Sequence, residues 1–250
     1  RIFTGAKMPT NSSTIVMQEN TYKKGNKIHL IKIPRFGDNY RLKGEDIKKN
    51  QKILEKGSKL NQQNINLIAA TGISKIKVFK KIKIGFFTSG NEIRKPTKNL
   101  KNSEINNSNY YSLNNLLDKN FIEKKYCGNL KDNFKYIKNK IFNTSKKFNV
   151  IITAGGASVG DEDHVIKVLS ELGKVYFWRA AIKPGRPIAV GKINNCYIIC
   201  LPGNPVSVQL LYAMLVRPLI EKLSGGNFKL PSSSKITANF SMKKKTKRME

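Results

Sequence analysis

The stretch of residues 149–160, NVIITAGGASVG, constrains the fold more than any other part of the chain. Residues 150–153 are an apolar and β-branched run, which Ala154, Gly155 and Gly156 bring to an end. Such a run is typical of a buried strand in a parallel sheet, and the small residues after it predict a loop. We therefore expect an α/β domain around this strand.

A helix is predicted after this loop, because apolar residues recur at helical spacing between 165 and 172 and Gly173 can end the helix. Ser158, Gly160 and the acidic residues 161–163 stand where that helix would begin. Free N–H groups at a helix N-terminus favour anions, and open α/β sheets bind ligands at the carboxyl ends of their strands. We predict that this is the active-site loop, with its two glycines and Ser158 binding substrate.

Strand and helix patterns alternate between residues 81 and 225, which predicts an α/β fold with a mainly parallel sheet and helices on both faces. Parts of a smaller β-rich domain and a linker domain are expected ahead of it. We place the boundaries at residues 1–47 for the β-rich part, 48–79 for the linker, 80–226 for the α/β domain and 227–250 for the start of a further domain.

Individual elements follow from the same patterns. Strands are predicted near residues 14–17, 28–34, 76–79, 82–87, 174–178, 196–201 and 235–240, and residues 126–127 look too short for one. Asn61 is expected to cap a helix that Gly72 ends. A second cap is expected at Asn204, because Pro205 suits the first position of the helix that follows.

Residues 179–187 contain three cations, Arg179, Lys183 and Arg186, in a turn held by prolines and a glycine. This pattern is more typical of an anion clamp than of a solvated face. Together with the loops after the strands, it predicts acidic, hydroxyl and cationic groups at one rim of the sheet.

The formal net charge of +31 raises the alternative of a nucleic-acid or anionic-membrane partner. The lysines are spread along the chain among many asparagines and isoleucines, so we favour a compositional bias and expect no nucleic-acid or membrane partner. Three cysteines, two histidines and the lack of a CxxC pair argue against a disulfide framework or a zinc site. With no long apolar segment and no apolar leader, we expect a cytoplasmic protein.

Several nucleotide and hydrolase signatures are missing. The chain has neither GxxxxGK[ST] nor GxGxxG, which weakens NTPase and dinucleotide readings. Ser158 lacks the nucleophile-elbow pattern of a Ser–His–Asp hydrolase, and His164 is better explained as a helix-surface residue.

Seven stretches of the chain resemble the molybdopterin molybdenumtransferase family, which includes MoeA and the E domain of gephyrin. They are RIFTGA at 1–6, VMQE at 16–19, KGEDI at 43–47, FTSGNEI at 87–93, TAGGASVGDED at 153–163, FWRAAIKPGRPIAVG at 177–191 and LPGNPVSV at 201–208. They occur in the family's order with similar spacing across nearly the whole chain.

The resemblance implies a homodimeric enzyme of molybdenum cofactor synthesis. Its substrates would be molybdate and adenylylated molybdopterin, AMP would be released, and Mg²⁺ would be the metal. Contact with the enzyme of the preceding step, the adenylyltransferase, is also implied.

The resemblance also implies roles for individual residues. The catalytic residues would be Glu92, Asp132, Asp163 and Lys183, of which the three carboxylates would hold Mg²⁺, a cation that prefers oxygen ligands. The substrate-binding residues would be Thr4, Asp46, Gly155, Gly156, Ser158, Arg179, Pro202 and Pro205. From the residues alone, Thr4 is better explained as part of an ordinary β-loop.

The chain departs mildly from the family pattern at Thr88-Ser89, Asn91, Ala154 and Arg179. It begins close to the TGA motif and ends early in the last family domain, so we expect a part of a longer protein. Two other readings of the same fold stay open: the adenylyltransferase of the preceding step, and a scaffold that has lost catalysis.

Overall fold

The structure is a computed structural model, and it describes residues 1–156, 164–228, 234–237 and 239–241. The chain divides into two compact units, Arg1–Glu55 and Lys56–Glu250. The finer domain boundaries expected from the sequence remain predictions.

The first unit contains an antiparallel hairpin of β1 (Thr21–Lys24) and β2 (Lys27–Leu30), preceded by a single 3₁₀ turn at Gln18–Asn20. Gly25 has a φ of +60°, which the tight turn between the two strands requires. The strand expected at 28–34 is shorter in the structure, where it covers Lys27–Leu30. The strand expected at 14–17 is not formed.

The second unit begins with helix α1 (Gln62–Ala70), which is capped as the sequence predicts. The Asn61 side chain accepts a hydrogen bond from the N–H of Asn64 at 2.9 Å, and Gly72 follows with a φ of +76°. The strand predicted at 76–79 is wrong, since Val78 and Phe79 are more than half exposed in irregular chain.

A six-stranded sheet forms the centre of this unit, in the order β6-β3-β7-β10-β9-β8. Neighbouring strands from β6 through β3 and β7 to β10 are parallel, whereas β9 is antiparallel to both of its neighbours. Five of the six strands therefore point the same way, and their carboxyl ends share one edge. The strands are β3 (Ile82–Ser89), β6 (Ile122–Leu130), β7 (Val150–Ala154), β8 (Lys174–Trp178), β9 (Ala189–Ile193) and β10 (Cys196–Leu201).

Further helices of this unit are α2 (Ser108–Leu116), α3 (Phe134–Ser145), α4 (His164–Leu172), α5 (Pro205–Leu211) and α6 (Arg217–Leu223), with a π-helical turn at Tyr212–Val216 joining the last two. Helices α2, α3 and α4 connect strands of this sheet, and α5 and α6 follow its last strand. A small parallel pair, β4 (Ile93–Arg94) and β5 (Ile105–Asn106), lies between β3 and α2.

The core has two halves, one on each face of the sheet. Alternate residues of β7 show this division: Val150 and Ile152 pack with α2, α5 and α6, whereas Ile151 packs with α3 and α4. All three side chains are fully buried. Helices on both faces and a mostly parallel sheet confirm the fold class predicted from the sequence.

Two strands of the sheet were missed by the sequence patterns. The strand β6 covers nine residues around the pair 126–127, which looked too short for a strand. The strand β9 begins two residues after the predicted turn at 179–187, where no strand was expected. At the chain's end, the described part of residues 235–240 is irregular rather than a strand.

Candidate functional site

The carboxyl edge of the sheet contains a topological switch point between β3 and β7. The chain leaves β3 through α2 on one face and turns to β6, whereas it leaves β7 toward α4 on the opposite face and turns to the other side of the sheet. Ligands of open α/β folds bind at such a point, because the diverging connections leave a crevice between the two strand ends. We call this the β3–β7 crevice, lined by residues 88–92 and 154–156.

Two glycines shape one side of the β3–β7 crevice. Gly155 and Gly156 have φ values of +96° and +69°, a region that favours glycine. A Cβ atom on Gly155 would lie 2.5 Å from the carbonyl oxygen of Ser89, and one on Gly156 would lie 2.8 Å from a methyl group of Val165. Both glycines are therefore required for the close packing of this loop against Ser89 and Val165.

The other side of the crevice rests on a buried polar network around Thr88. Its hydroxyl donates to Oδ1 of Asn129 at 3.0 Å, lies 2.9 Å from the Tyr126 hydroxyl, and accepts from Nδ2 of Asn107 at 3.1 Å. Asn129 in turn donates to the Gly90 carbonyl at 2.7 Å. Because Thr88 is 1% exposed, these bonds fix the end of β3 without help from water.

The acidic residues of the rim follow neighbouring strands. After β3, the Glu92 carboxylate folds back over Gly90; after β6, Asp132 and Asn91 exchange two hydrogen bonds, each of 3.3 Å, between backbone N–H and side-chain oxygen. The two loops are thereby joined, and both carboxylates are exposed. Mg²⁺ is commonly held by one or two carboxylates together with substrate phosphates, so this donor set fits the ion. Within the described ranges, no group of three His, Cys, Asp or Glu side chains is assembled for a metal.

The loop after β3 is further anchored by Arg94. Its guanidinium donates to the Asn91 carbonyl at 2.7 Å and pairs with Glu104 at 2.9 Å. The Lys101 N–H, donating to the Glu104 carboxylate, lowers the pKa of that carboxyl, and the nearby Arg94 lowers it further.

The cationic segment 179–187 lies at the same edge, because it connects the carboxyl end of β8 to the start of β9. Backbone bonds of 2.9 Å, from Arg179 N to Ile188 O and from Ala180 N to Arg186 O, close the base of this loop. Arg179, Lys183 and Arg186 are all exposed on it. The sequence prediction of cationic groups at the rim is therefore confirmed in position, while their binding roles stay predictions.

Residues 202–205 follow β10 and reach the crevice from its third strand. Gly203 lies beside Gly155, since a Cβ on Gly203 would be 3.8 Å from the Gly155 Cα, and its carbonyl accepts from Nδ2 of Asn109 at 2.7 Å. The side chain of Asn204 accepts from the N–H groups of Val206 and Ser207, as the cap prediction requires. Pro202 is buried and Pro205 exposed.

The remaining predicted residues belong to the first unit or fall outside the described residues. Thr4 and Asp46 belong to the first unit, where Thr4 lies in an exposed turn and Asp46 forms an exposed ion pair with Arg41 at 2.5 Å. Ser158 and Asp163 fall within residues 157–163, outside the described residues. Their roles remain predictions.

Sequence reasoning missed the asparagines that support the crevice. Asn107 caps α2 through its bond to the N–H of Tyr110 while it holds Thr88, and Asn109 holds Gly203. A cap signal was present in the Asn-Ser pair at 107–108, but it was hidden in the polar stretch 97–109.

Two family models match the chain. The model of the probable molybdopterin binding domain matches residues 85–222, and that of the MoeA N-terminal region (domain I and II) matches residues 1–72. The molybdopterin molybdenumtransferase of Haemophilus influenzae is 35% identical over 252 residues, which cover 100% of this chain and 62% of that relative. The same-named protein of a Nostoc species is 32% identical, with 90% of this chain and 52% of the relative covered.

A solved structure is also similar. The molybdopterin biosynthesis MoeA protein of Pyrococcus horikoshii superposes with a TM-score of 0.71 at 30% identity, and the match covers 87% of this chain and 55% of that one. The chain thus spans little more than half the length of these proteins. In the part of the chain that the structure describes, no helix is long and apolar enough to cross a membrane.

Proposed function

Because the chain belongs to the MoeA family of molybdopterin-binding proteins, we propose that it is a molybdopterin molybdenumtransferase, inserting molybdate into adenylylated molybdopterin with release of AMP. The observation that carries the proposal is the β3–β7 crevice, which lies within the segment matched by the molybdopterin-binding model. A crevice at the carboxyl ends of parallel strands is where open α/β folds bind their ligands.

We propose that the crevice binds the pterin and its pyrophosphate. Gly155 and Gly156 let the loop after β7 pack closely against Ser89 and Val165, and the turn at 202–205 lies next to Gly155 on the third side. The exposed cations Arg179, Lys183 and Arg186 would attract molybdate and the phosphates, with the arginines able to form bidentate pairs.

Glu92 and Asp132 would hold Mg²⁺ together with Asp163. The ion would supply charge stabilisation to the pyrophosphate as it is cleaved. The chain's own contribution is to keep the carboxylates in place: the Asn91–Asp132 bonds and the Arg94–Asn91 bond tie the two acidic loops together.

The same family membership leads us to propose a cytoplasmic homodimer that contacts the adenylyltransferase of the preceding step. The adenylyltransferase reading of this chain itself is disfavoured, because residues 1–72 match the MoeA N-terminal region, a part specific to the proposed transferase. A scaffold without catalysis would retain the fold but need no paired acidic loops at the crevice.

The test is to supply the chain with adenylylated molybdopterin, molybdate and Mg²⁺, and to measure both AMP and active cofactor. We expect the two products together. AMP release without molybdenum incorporation would contradict the insertion role, and unchanged substrate would favour the scaffold.

Variants sharpen this assay. Asp163→Ala is expected to abolish turnover, and Asp132→Asn to lower kcat by at least about 100-fold, since each removes a carboxylate that would hold the charge-stabilising Mg²⁺. Asp118→Asn is the matched control, because Asp118 precedes β6 at the opposite edge, where it pairs with Lys124 at 2.9 Å. Equal loss of activity in the Asp118 and Asp132 variants would contradict the assignment of the rim.

A further inference from the structure

Trp178 and Arg179 form a stacked pair at the rim, at the end of β8. The Arg179 guanidinium lies 4.2 Å from the centroid of the indole ring, and 42% of Trp178 remains exposed. An exposed indole ring is costly to solvate. Trp178 is the chain's single Trp. An exposed indole beside a guanidinium offers a stacking surface and an anion-binding fork side by side.

The backbone beneath this pair is held in an uncommon conformation. Arg179 has a φ of +69°, a region that is unfavourable for a residue with a side chain and persists only where the surroundings enforce it. The bond from its N–H to the Ile188 carbonyl at 2.9 Å provides that enforcement. The backbone at Arg179 is thereby tied to the residue that precedes β9, while its guanidinium lies over the indole.

The distance between the Trp178–Arg179 pair and the β3–β7 crevice decides whether one ligand can contact both. Along the carboxyl edge, β10 and β9 lie between β7 and β8. Three strand spacings of about 4.8 Å place the end of β8, and Trp178 with it, about 14 Å along the rim from β7. A ligand bound in the crevice by its pterin could extend its second half past the cationic loop to Trp178.

We propose that Trp178 and Arg179 bind the nucleotide half of the substrate, a purine nucleoside monophosphate. The purine ring stacks on the indole, and the guanidinium turns from the ring to the phosphate. This inference rests on the proposed function, which supplies a ligand of that class, but it assigns a binding site to a residue pair with its own measurable signal.

The single tryptophan makes the test direct. AMP is titrated into the full chain while Trp178 fluorescence is followed, with ribose 5-phosphate as the probe that lacks the ring. We expect saturable quenching by AMP and none by ribose 5-phosphate. Absence of quenching at saturating AMP, or equal quenching by ribose 5-phosphate, would overturn the proposal.

Equilibrium dialysis with labelled AMP then compares variants, including those without fluorescence. Loss of one base–aromatic stack is worth about 1–3 kcal/mol, so Trp178→Ala should raise the Kd about 5- to 100-fold, and Trp178→Phe should restore most of the affinity. Two controls on the same strand are Tyr176→Leu, which removes another exposed ring, and Lys174→Ala, which removes the cation 5.9 Å above it. Both should leave the Kd within about twofold.

The outcome is separable from that of the transferase assay. AMP binding that depends on Trp178 supports the nucleotide site even if no active cofactor is formed. Conversely, if cofactor forms while Trp178→Ala binds AMP as the unchanged chain does, the transferase stands and this site is wrong.

Discussion

At the scale of single residues, the crevice depends on backbone conformations that only glycine adopts without cost. Gly155 combines a φ of +96° with a Cβ position 2.5 Å from the Ser89 carbonyl, so two separate penalties exclude a side chain there. The steric one arises because β3 and β7 are adjacent parallel strands whose ends meet at the crevice.

These two penalties can be separated by experiment. Gly128, in β6, has a φ of +110° but nothing within 4 Å of its Cβ position. Gly128→Ala should therefore cost about 1–2 kcal/mol in free energy of unfolding from conformation alone, and Gly155→Ala a further 1–3 kcal/mol, roughly, from overpacking. Urea unfolding measures both, and equal losses would show that the Ser89 contact is not restrictive.

The sequence identified the residues of this loop but not what supports it. Gly155 and Gly156 follow a strongly apolar run, so their role in a loop could be predicted locally. The bonds that fix Thr88 come from Asn107, Tyr126 and Asn129, which lie 19, 38 and 41 residues away, and no local pattern encodes such pairings.

At the scale of elements, the N-cap of α5 connects helix stability to the crevice. Asn204 accepts from two N–H groups and lies next to Gly203, which contacts Gly155. Asn204→Ala should destabilise the protein by about 1 kcal/mol and also weaken substrate binding, because the turn at 202–205 loses its anchor.

Asn61→Ala provides the comparison, since Asn61 caps α1 through an analogous bond of 2.9 Å. We expect this variant to bind substrate as the unchanged chain does. Measurements of Kd and of urea midpoints on both variants test the link, which fails if the two caps affect binding alike.

The short β4–β5 pair should confer a pH dependence through Glu104. The folded-state pKa of Glu104 is lowered below its ordinary value of 4.5, chiefly by the Lys101 N–H. A lowered pKa means that the ionised carboxylate contributes stability at neutral pH, and that this contribution is lost as the pH falls through the folded-state pKa.

Glu104→Gln should therefore be less stable than the unchanged chain at pH 7, with the difference shrinking at pH values below 4.5. Unfolding curves of both proteins across that range provide the measurement. A difference that stays constant with pH would contradict the electrostatic explanation.

Elements were predictable where one apolar pattern sufficed. β7 and β10 are buried on both faces and α5 has its cap and proline, so each was evident locally. β6 was not, because it is an outer strand whose residues 123–125 are charged, and its pairing with β3 also shifts register at Phe86 and Phe87. Conversely, residues 76–79 carry a strand-like pattern but remain exposed and irregular. Local propensity alone therefore mispredicted a strand there, because a strand also needs neighbours to pack against.

At the scale of the whole molecule, the charge of +31 raises the question of whether nucleic acid binds or whether the charge reflects composition alone. The described structure offers scattered ion pairs such as Lys138–Glu171 and Arg217–Glu221 on several helices, and lysines also stack on exposed rings of Phe142 and Tyr136. In the described part of the chain, these cations are thus distributed over several helices.

The charge distribution makes a quantitative prediction about DNA. A dispersed positive charge attracts duplex DNA at low salt, but few phosphates are neutralised at once, so binding should be weak at physiological salt. By fluorescence anisotropy with a random-sequence duplex, we expect association at about 20 mM salt and a Kd weaker than about 100 μM at about 150 mM salt. A second duplex of unrelated sequence should behave identically. Binding in the micromolar range at about 150 mM salt would instead indicate a genuine nucleic-acid surface, and the lysine content could no longer be attributed to composition alone.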